Sequence, residues 1–368
     1  MGQKTVRILG TRGIPAAHGG FETFAEHAAL YLASQGWRVI VYCQASGCGP
    51  IYEDIWEGIF RIHIPVKGEG PSATINFDWQ ATLHAARSDE LCLTLGYNTA
   101  LFCAWLRLKG IPNVINMDGI EWSRAKWGRA AKTWFWLNDW AGCWLGNHLV
   151  ADHPEIKEHL KSRVRADKIT TIAYGADKVT DAPTDSITHY GLEPGKFLTV
   201  IARPEPENSL LEIVSGFSRQ RHGLNLAVLG KYDPTNAYHH AVQQAASDEV
   251  KFLGAIYDKP VVQALRFHSW AYVHGHQVGG TNPSLVEALG AGNAVIAHSN
   301  RFNRWVVGDG GGYFDGADDF ARVLRELVAT PERLSQMRIA SIARYEAEFT
   351  WDKICREYEE LLTRFLLT

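Results

Sequence analysis

The chain has 368 residues, of which 46% are hydrophobic and 21% charged, values typical of a globular protein of about two domains. Its formal net charge of -3 argues against nucleic acid as a partner, because surfaces that bind nucleic acid are usually basic. No stretch reaches the roughly 18 consecutive apolar residues that a membrane-spanning helix needs. The first ten residues are also too short and polar for a signal peptide, so we predict a cytoplasmic protein.

The chain opens with a predicted strand, a glycine-rich loop and a helix. Val6 to Leu9 is a short apolar run, and the loop from Gly10 to Gly20 follows it. Apolar residues between Phe21 and Leu32 then recur at helical spacing, and Trp37 to Cys43 forms the next apolar run. This order predicts the start of a doubly wound parallel sheet.

The same alternation of strands and helices returns in the second half of the chain. A polar, turn-rich segment at 177–194 separates the halves and is the predicted linker. The last segment, 351–366, has the apolar spacing of an amphipathic helix. The predicted strands of the second half are 197–202, 224–230, 250–253, 270–274 and 294–297, with helices at 208–217, 237–246 and 283–289.

These patterns predict an α/β protein with two domains, an N-terminal one at 1–178 and a C-terminal one at 195–349. Ligands of open α/β folds bind outside the carboxyl ends of the parallel strands. We therefore expect the ligand in a cleft that faces the carboxyl ends of both sheets, and the functional residues in the loops that follow the strands.

The most informative motif is Gly279-Gly280-Thr281-Asn282-Pro283-Ser284, which follows a predicted strand and opens a helix. Asn282 suits the N-cap and Pro283 the first helical position. Backbone N–H groups and the positive end of the helix dipole would then bind a diphosphate or a sugar hydroxyl. Glu287, one turn further along the same face, would accept hydrogen bonds from a ribose diol. The alternative is a capped helix that carries a solvated glutamate.

Arginine and lysine follow two of the predicted strands in the C-terminal domain. Arg203 comes directly after the strand at 197–202, and Lys231 follows the strand at 224–230. An arginine in that place can pair with two phosphate oxygens at once. A solvated loop arginine is the alternative.

Several common nucleotide and metal motifs are missing from the sequence. There is no Gly-x-Gly-x-x-Gly fingerprint, no Walker motif and no Asp-x-Asp pair. His274 and His276 alternate at the end of a predicted strand without a third ligand nearby, which favours packing over metal binding. We therefore predict that the protein requires no metal.

The segment 116–144 combines acids, bases and tryptophans. Asp118 and Glu121 precede a run in which Arg and Lys alternate with tryptophan, and 122–144 holds most of that run. Amphipathic indole rings beside basic side chains suit a bilayer interface or the lipid carrier of an acceptor. The alternative is a tryptophan-rich helix that packs in the core.

Five stretches together carry a resemblance to a known family: Gly10-Thr-Arg-Gly-Ile-Pro, Gly19-Gly-Phe-Glu-Thr-Phe, Asp118-Gly-Ile-Glu-Trp, Ala202-Arg-Pro-Glu-Pro-Glu-Asn, and the run from His274 to Ala288. They resemble family 4 of the glycosyltransferases, which has the GT-B fold, and are most similar to its bacterial rhamnosyltransferase-like branch. The resemblance covers nearly the whole chain.

The resemblance implies a retaining, metal-independent transfer from a nucleotide diphosphate sugar. It implies that the C-terminal domain binds the donor, that the N-terminal domain binds the acceptor, and that the terminal helix 350–368 crosses back to the N-terminal domain. Members of this branch often move L-rhamnose from dTDP-rhamnose to a lipid-linked saccharide in surface polysaccharide synthesis. Such an enzyme would work in the cytoplasm, with possible association with the inner face of the membrane through the 122–144 region.

The same hypothesis assigns a role to each candidate residue. Arg203, Lys231 and the amides near Asn282 would stabilise the leaving diphosphate, and Glu287 would hold the ribose. Asp118 or Glu121 would orient the acceptor hydroxyl as a base. The predicted catalytic residues are Arg203, Glu287, Asp118 and Glu121, and the predicted donor-binding residues are Gly19, Gly20, Lys231, Gly279, Gly280, Thr281, Asn282 and Ser284.

Two positions depart from the pattern of the family. The first acid of its Glu-x7-Glu motif falls on Gly279, and its usual lysine falls on Asn208. Two other functions therefore stay open at this point. One is a nucleotide-sugar epimerase or hydrolase on the same scaffold, and the other is a non-catalytic partner that binds a nucleotide sugar or lipid.

Overall fold

The alternating apolar segments form two separate, mostly parallel β-sheets in a computed structural model that describes residues 3–17 and 19–366. The chain divides into two units, the first made of 1–174 with 351–368 and the second of 175–350. Each sheet is covered by helices and has its own apolar core. The prediction of an α/β fold with two Rossmann-like domains is confirmed.

The first unit contains an eight-stranded sheet in the order β3-β4-β2-β1-β5-β6-β7-β8. Only the edge strand β3 runs antiparallel to its neighbour. The elements are β1 Thr5–Leu9, α1 Gly19–Ser34, β2 Arg38–Ser46, β3 Tyr52–Trp56, β4 Ile59–Val66, α2 Pro71–Ala85, β5 Leu91–Leu95, α3 Cys103–Leu108, β6 Asn113–Asn116, α4 Arg129–Leu145, β7 His148–Ala151, α5 Pro154–Lys161 and β8 Ile169–Thr171, with short 3-10 turns at Ala100–Phe102, Glu121–Ser123 and Ala166–Lys168.

The last helix of the chain, which we number α14 (Trp351–Thr363), packs in the core of the first unit. Its apolar residues recur at helical spacing and meet α1, where the rings of Tyr358 and Phe24 lie 4.6 Å apart. The Tyr358 hydroxyl also accepts a 2.8 Å hydrogen bond from the amide of Asn116 at the end of β6. The ring of Trp351 lies 5.0 Å from that of Tyr174, so the chain leaves and re-enters this unit at neighbouring points.

The second unit contains a six-stranded parallel sheet in the order β11-β10-β9-β12-β13-β14. Its strands are short apolar segments that are buried on both faces, as expected for a sheet covered by helices. The elements are α6 Asp185–Thr188, β9 Phe197–Ile201, α7 Leu210–Phe217, β10 Asn225–Leu229, α8 Ala237–Gln244, β11 Val250–Gly254, α9 Lys259–Phe267, β12 Ala271–His274, α10 Pro283–Gly290, β13 Val295–His298, α11 Arg301–Val307, β14 Gly312–Phe314, α12 Ala317–Ala329 and α13 Pro331–Glu348, with 3-10 turns at Pro206–Asn208 and Gly308–Gly310.

The segment 177–194 is not a free linker, contrary to the sequence-based prediction. It contains α6, and its residues Ile187 and Leu192 are fully buried against β9, β10 and α9. Apolar contacts of Ile187 and Leu192, with a hydrogen bond from the Val179 N–H to the Gly290 carbonyl, dock a segment whose prolines and glycines resemble those of a linker. The stretch belongs to the second unit.

Candidate active site

Three loops with candidate residues meet at the carboxyl edge of the second sheet. Strand β9 lies between β10 and β12, so Lys231, Arg203 and the loop 275–282 follow three adjacent parallel strands. The strand order reverses between β9 and β12, which makes this edge a topological switch point. The loops that carry the candidate donor-binding residues of this unit are therefore neighbours.

The Arg203 loop and the loop after β12 are held together by hydrogen bonds. Ser209 donates its hydroxyl to the Gly275 carbonyl at 2.8 Å and accepts the Gln277 amide at 2.9 Å. The Gln277 N–H also donates to the Glu207 carbonyl at 2.9 Å. Such a network fixes the backbone from which the functional groups project.

Asn208 forms hydrogen bonds within its own loop. Its side chain is 2% exposed, and its amide donates a 2.9 Å hydrogen bond to the carbonyl of Arg203. Asn208 therefore closes the turn behind Arg203 rather than supplying a cation. Arg203 and Lys231 supply positive charge after the two strands β9 and β10.

Arg203 and Lys231 are both exposed. Within the part of the chain that the structure describes, the Arg203 guanidinium has no hydrogen-bond or ion-pair partner. Lys231 lies near the exposed carboxylate of Asp233. Hydrogen bonds from Thr235 are the main reason that the pKa of Asp233 is lowered, and the charge of Lys231 lowers it further. An arginine without an internal partner keeps its planar set of donors for an external anion.

The start of α10 is capped as the sequence predicts. The Asn282 side chain accepts the Ser284 N–H at 3.0 Å, and the Asn282 carbonyl accepts the Leu285 N–H at 3.1 Å. These amides are therefore satisfied internally. The amides of Gly279 and Gly280 have no hydrogen-bond partner within 3–17 and 19–366, so the loop before the helix offers them to a ligand. Gly279 has φ +134°, which other residues rarely adopt.

Glu287 is neither free nor merely solvated, because it pairs with a buried arginine that the sequence analysis missed. Arg266, only 5% exposed, places Nη2 2.5 Å from Glu287 Oε2 and 2.9 Å from Ser284 Oγ. The Ser284 hydroxyl also contacts the Tyr272 hydroxyl at 2.6 Å. Ser284 is thus occupied within the protein. Oε1 of the partly exposed Glu287 has no hydrogen-bond or ion-pair partner in the described residues and can meet a ligand.

His274 and His276 form a stacked pair beside this edge. Their rings are 4.3 Å apart, and the ring of Tyr272 extends the stack at 6.1 Å. Burial holds the pKa of His274 well below its usual value, so the ring is neutral. Across residues 3–17 and 19–366, no group of three His, Cys, Asp or Glu side chains is arranged to hold a metal ion.

The other candidate residues lie in the first unit. Asp118 follows β6 and has φ +52°, with its N–H bonded to the Asn116 side chain at 2.9 Å. Burial raises its pKa to about 6, opposed by a hydrogen bond from the Gly119 backbone. Gly19 and Gly20 begin α1, and Gly19 has φ +61°.

Glu121 has less freedom to act as a base. Its Oε1 accepts the Trp127 indole N–H at 2.7 Å and lies 3.2 Å from Lys126, and its Oε2 accepts from Arg124 at 3.2 Å. Burial alone would raise the pKa of Glu121, but the charges of Arg124 and Lys126 and the indole bond lower it overall. The geometry favours Asp118 over Glu121 as the group that accepts a proton.

Asp118→Asn is expected to remove the acidic limb from the pH profile of kcat/KM. The wild-type rate should rise through an apparent pKa of about 6, where the buried carboxylate ionises. Asparagine tolerates a positive φ as well as aspartate does, so the variant changes the charge and keeps the backbone. Rates measured between about pH 5 and pH 8 test this.

Asp118→Asn is also expected to change how the free energy of unfolding depends on pH. A raised carboxyl pKa means that the folded protein holds a proton that the unfolded chain releases, so this contribution is lost as the pH rises through about 6. Asp118→Asn should therefore stabilise the protein more at high pH than at low pH in urea titrations. In the kinetic experiment, an acidic limb of kcat/KM that is unchanged in Asp118→Asn would show that Asp118 is not its cause. Asp78, whose pKa burial also raises to about 6, would be tested next.

The tryptophans of 122–144 fall into two groups. Trp122, Trp127, Trp134 and Trp140 are partly buried, and Trp134 donates to the Asn98 carbonyl at 2.9 Å. Trp136 and Trp144, by contrast, are 44% and 62% exposed. Both α3 and the 3-10 turn before it contact α4. The exposed apolar side chains of these three elements are what we term the aromatic face, comprising Leu101, Trp105, Leu108, Trp136, Leu137 and Trp144.

Basic residues accompany the aromatic face, and exposed acids do not. Arg107, Lys109 and Arg129 are exposed on or next to α3 and α4. The one acid on these two helices is Asp139, which is 2% exposed and pairs with Arg163 at 3.0 Å. None of the helices in the described parts of the chain has both the length and the apolarity to cross a membrane.

Family models match each half of the chain. Residues 192–344 match the family described as glycosyl transferases group 1, and residues 3–177 match a domain of unknown function, DUF1972. The edge that carries Arg203, Lys231 and Glu287 thus lies within the residues that match the glycosyl transferases group 1 model. Together with the fold, this match supports a GT-B glycosyltransferase. No curated protein matches the chain.

Several solved structures share the fold over nearly the whole chain. Sucrose-phosphate synthase from Thermosynechococcus elongatus is 16% identical, with a TM-score of 0.80 over 99% of this chain and 100% of that chain. Anabaena HepE in complex with UDP is 14% identical, with a TM-score of 0.75 over 98% and 100%. The α,α-trehalose-phosphate synthase (UDP-forming) from Burkholderia xenovorans, in complex with glucose-6-phosphate, is 11% identical, with a TM-score of 0.74 over 98% and 100%. At these identities the likeness establishes the fold.

Proposed function

We propose that this protein is a retaining, metal-independent glycosyltransferase that uses a nucleotide diphosphate sugar. The observation that carries the proposal is the carboxyl edge of the second sheet. There the loop of Arg203, whose guanidinium has no partner in the described residues, is hydrogen-bonded to the loop that carries the unbonded amides of Gly279 and Gly280. The glycosyl transferases group 1 match covers the same residues. Structures of HepE that contain UDP or UDP-glucose support a nucleotide sugar as the donor.

The diphosphate is the leaving group, so the enzyme must stabilise the negative charge that builds as the bond to the anomeric carbon breaks. Arg203 and Lys231 supply positive charge, and the Gly279 and Gly280 amides supply hydrogen bonds. Because these groups are held by the loop network before the reaction, little reorganisation is needed. Two protein cations then take the part that a metal ion plays in many transferases.

Glu287 holds the donor ribose in this proposal, with Arg266 fixing one of its carboxylate oxygens. The other oxygen remains to accept from the diol. Asp118 orients the acceptor hydroxyl and, as a carboxylate, accepts the proton that the hydroxyl releases.

For the donor sugar we propose L-rhamnose, carried by dTDP. The support is the resemblance to the rhamnosyltransferase-like branch of family 4. The glycine at 279, where the family has an acid, leaves a backbone amide in place of a carboxylate that would accept from sugar hydroxyls. A deoxysugar has one hydroxyl fewer that needs a hydrogen-bond acceptor, which is consistent with a glycine instead of an acid at position 279.

For the acceptor we propose a lipid-linked saccharide that is extended during surface polysaccharide synthesis on the cytoplasmic side of the membrane. The aromatic face supports this, because exposed indole and leucine side chains beside Arg107 and Lys109 suit the headgroup region of an anionic bilayer. Peripheral contact of this kind buries apolar side chains without a spanning helix.

Trp136→Ser combined with Trp144→Ser is expected to weaken binding to vesicles that contain anionic lipid by at least about ten-fold, or 1.4 kcal/mol. The two rings supply much of the exposed apolar area of the aromatic face. Vesicle co-sedimentation at low and high salt measures the binding of each variant. Tyr257→Ser with Ile339→Ser, which removes exposed apolar side chains from the second unit, is the matched control. Equal binding by both double variants would count against the membrane assignment.

The function itself is tested with a panel of nucleotide sugars, including dTDP-rhamnose and UDP-glucose, in the presence of EDTA. Each donor is incubated with and without a prenyl-diphosphate-linked sugar, and nucleotide release and product mass are followed. Release that depends on the acceptor, with a product heavier by one sugar, is the expected result. Release without the acceptor would instead identify an epimerase or hydrolase, and binding without turnover for every pair would identify a non-catalytic partner.

A further inference from the structure

The first unit contains a pocket of about 510 Å³ that the assigned roles do not use. It lies at the carboxyl ends of β1, β2 and β4, which are adjacent in the sheet. Its walls come from the loop after β1, the end of β2, the loop before α2 and the first turn of α2. The volume falls in the range of pockets that bind small molecules.

The walls of the pocket are fixed by hydrogen bonds within the unit. The Gln44 N–H donates to the Arg12 carbonyl at 2.9 Å. Arg61 donates to the Ile14 carbonyl at 3.0 Å while two of its nitrogens bind the Asp54 carboxylate at 2.7 and 2.6 Å. Asp54 also holds the His63 ring at 3.0 Å. The pocket therefore exists before any ligand binds, which reduces the cost of ordering it.

The charges that line the pocket nearly cancel, with an excess of acid. Among the lining residues that the structure describes, Arg12 is the one arginine or lysine, and Glu22 and Glu69 are the acids. His63 also lines the pocket, and its ring pairs with Asp54. Gln44, Ser46 and Thr74 add neutral donors and acceptors. A phosphate dianion is usually recognised by several cations or by a bidentate arginine in a positive site. Here two carboxylates oppose a single guanidinium.

We propose that this pocket binds an uncharged glycosyl unit of the acceptor and discriminates against a phosphorylated sugar. Separate hydroxyl, amide, carboxylate and guanidinium groups suit a ring with many hydroxyls, each of which donates and accepts. The inference rests on the proposed function, since it specifies the acceptor of that reaction. It also separates this chain from the trehalose-phosphate synthase of the same fold, whose structure contains glucose-6-phosphate.

Binding is measured without any donor, by titrating the full chain with methyl glycosides of glucose, galactose, rhamnose and N-acetylglucosamine and with glucose 6-phosphate. Saturation-transfer NMR gives the affinities. At least one methyl glycoside should bind, and glucose 6-phosphate should bind at least about ten-fold more weakly, or 1.4 kcal/mol. Binding of glucose 6-phosphate with equal or higher affinity, or of no glycoside at all, would overturn the proposal.

Two variants locate the binding and test its electrostatic cause. Ser46→Trp fills the pocket from its rim and should weaken glycoside binding at least about ten-fold, whereas Ser34→Trp, at an exposed serine outside the pocket, should not. Glu69→Lys replaces an exposed acid by a cation and should improve glucose 6-phosphate relative to the glycoside. If Ser46→Trp and Ser34→Trp bind the glycoside equally, the site lies elsewhere.

The same variants distinguish a failure of the pocket proposal from a failure of the proposed function. Glycoside binding that Ser46→Trp abolishes, in a protein that never transfers sugar, would support the pocket and refute the transferase. Transfer to an acceptor whose KM is unaffected by Ser46→Trp would support the transferase and refute the pocket.

Discussion

Arg203→Ala is expected to lower kcat by about 10²–10³-fold, the usual effect of removing one preorganised donor from a developing negative charge. Arg203 follows β9 at the switch point of the second sheet, and its guanidinium has no ion-pair partner in 3–17 and 19–366. Because its charge is not neutralised by the protein, it is available to the leaving diphosphate. Arg203→Lys keeps the charge but loses the planar pair of donors, so its rate should lie between those of alanine and wild type.

The effect should appear in kcat more than in KM, because the charge on the diphosphate is greatest in the transition state. Steady-state kinetics with donor and acceptor varied separately give both constants. Arg221→Ala is the matched control: this arginine is exposed in the same unit but already pairs with Asp248. A kcat for Arg203→Ala close to that of Arg221→Ala would remove Arg203 from the diphosphate site.

Gly275→Ala is expected to destabilise the second unit by about 3 kcal/mol, near the upper end of overpacking effects. A Cβ at this position would lie 2.1 Å from the Asn208 carbonyl oxygen and 2.8 Å from Ile213 Cδ1. The backbone of the Arg203 loop would have to move away from β12. Since that loop carries Arg203, which we propose binds the diphosphate, activity should fall together with stability.

Calorimetry and kinetics on the same preparation test this second prediction. The transition of the second unit should move down by roughly 10 °C, given the usual relation between free energy and Tm for a domain of this size. Gly49→Ala is the control, since a Cβ there meets nothing within 4 Å and the backbone has no positive φ. If Gly275→Ala were as stable as Gly49→Ala, the two loops could not be packed as described.

The local parts of this molecule could be predicted from its sequence. The apolar spacing indicated the strands and helices around both glycine loops, and Asn282-Pro283 indicated the start of α10, because a cap depends on a few consecutive residues. Arg203 and Lys231 were likewise found from their positions after apolar runs. Their proximity followed only from the order of strands β10, β9 and β12.

The features that the sequence did not reveal depend on contacts between distant residues. Arg266 ends an amphipathic helix, and nothing in its neighbourhood along the chain indicates that it is buried against Glu287. The sequence of 122–144 does not distinguish one tryptophan from another. The packing of α4 leaves Trp136 and Trp144 exposed and Trp140 partly buried. The pocket of the first unit likewise requires three strands from separate segments.

The neighbouring positions of Tyr174 and Trp351 determine how hybrid enzymes must be built from this chain. Because α14 belongs to the first unit, a fusion with a single junction near residue 175 would give that unit a foreign last helix and leave Phe24 and Asn116 without Tyr358. The second unit should instead be exchanged as a cassette, residues 175–350, through two junctions. Chimaeras made in this way keep the contacts of Tyr358 with Phe24 and Asn116, so the second unit can be varied without redesigning the core of the first.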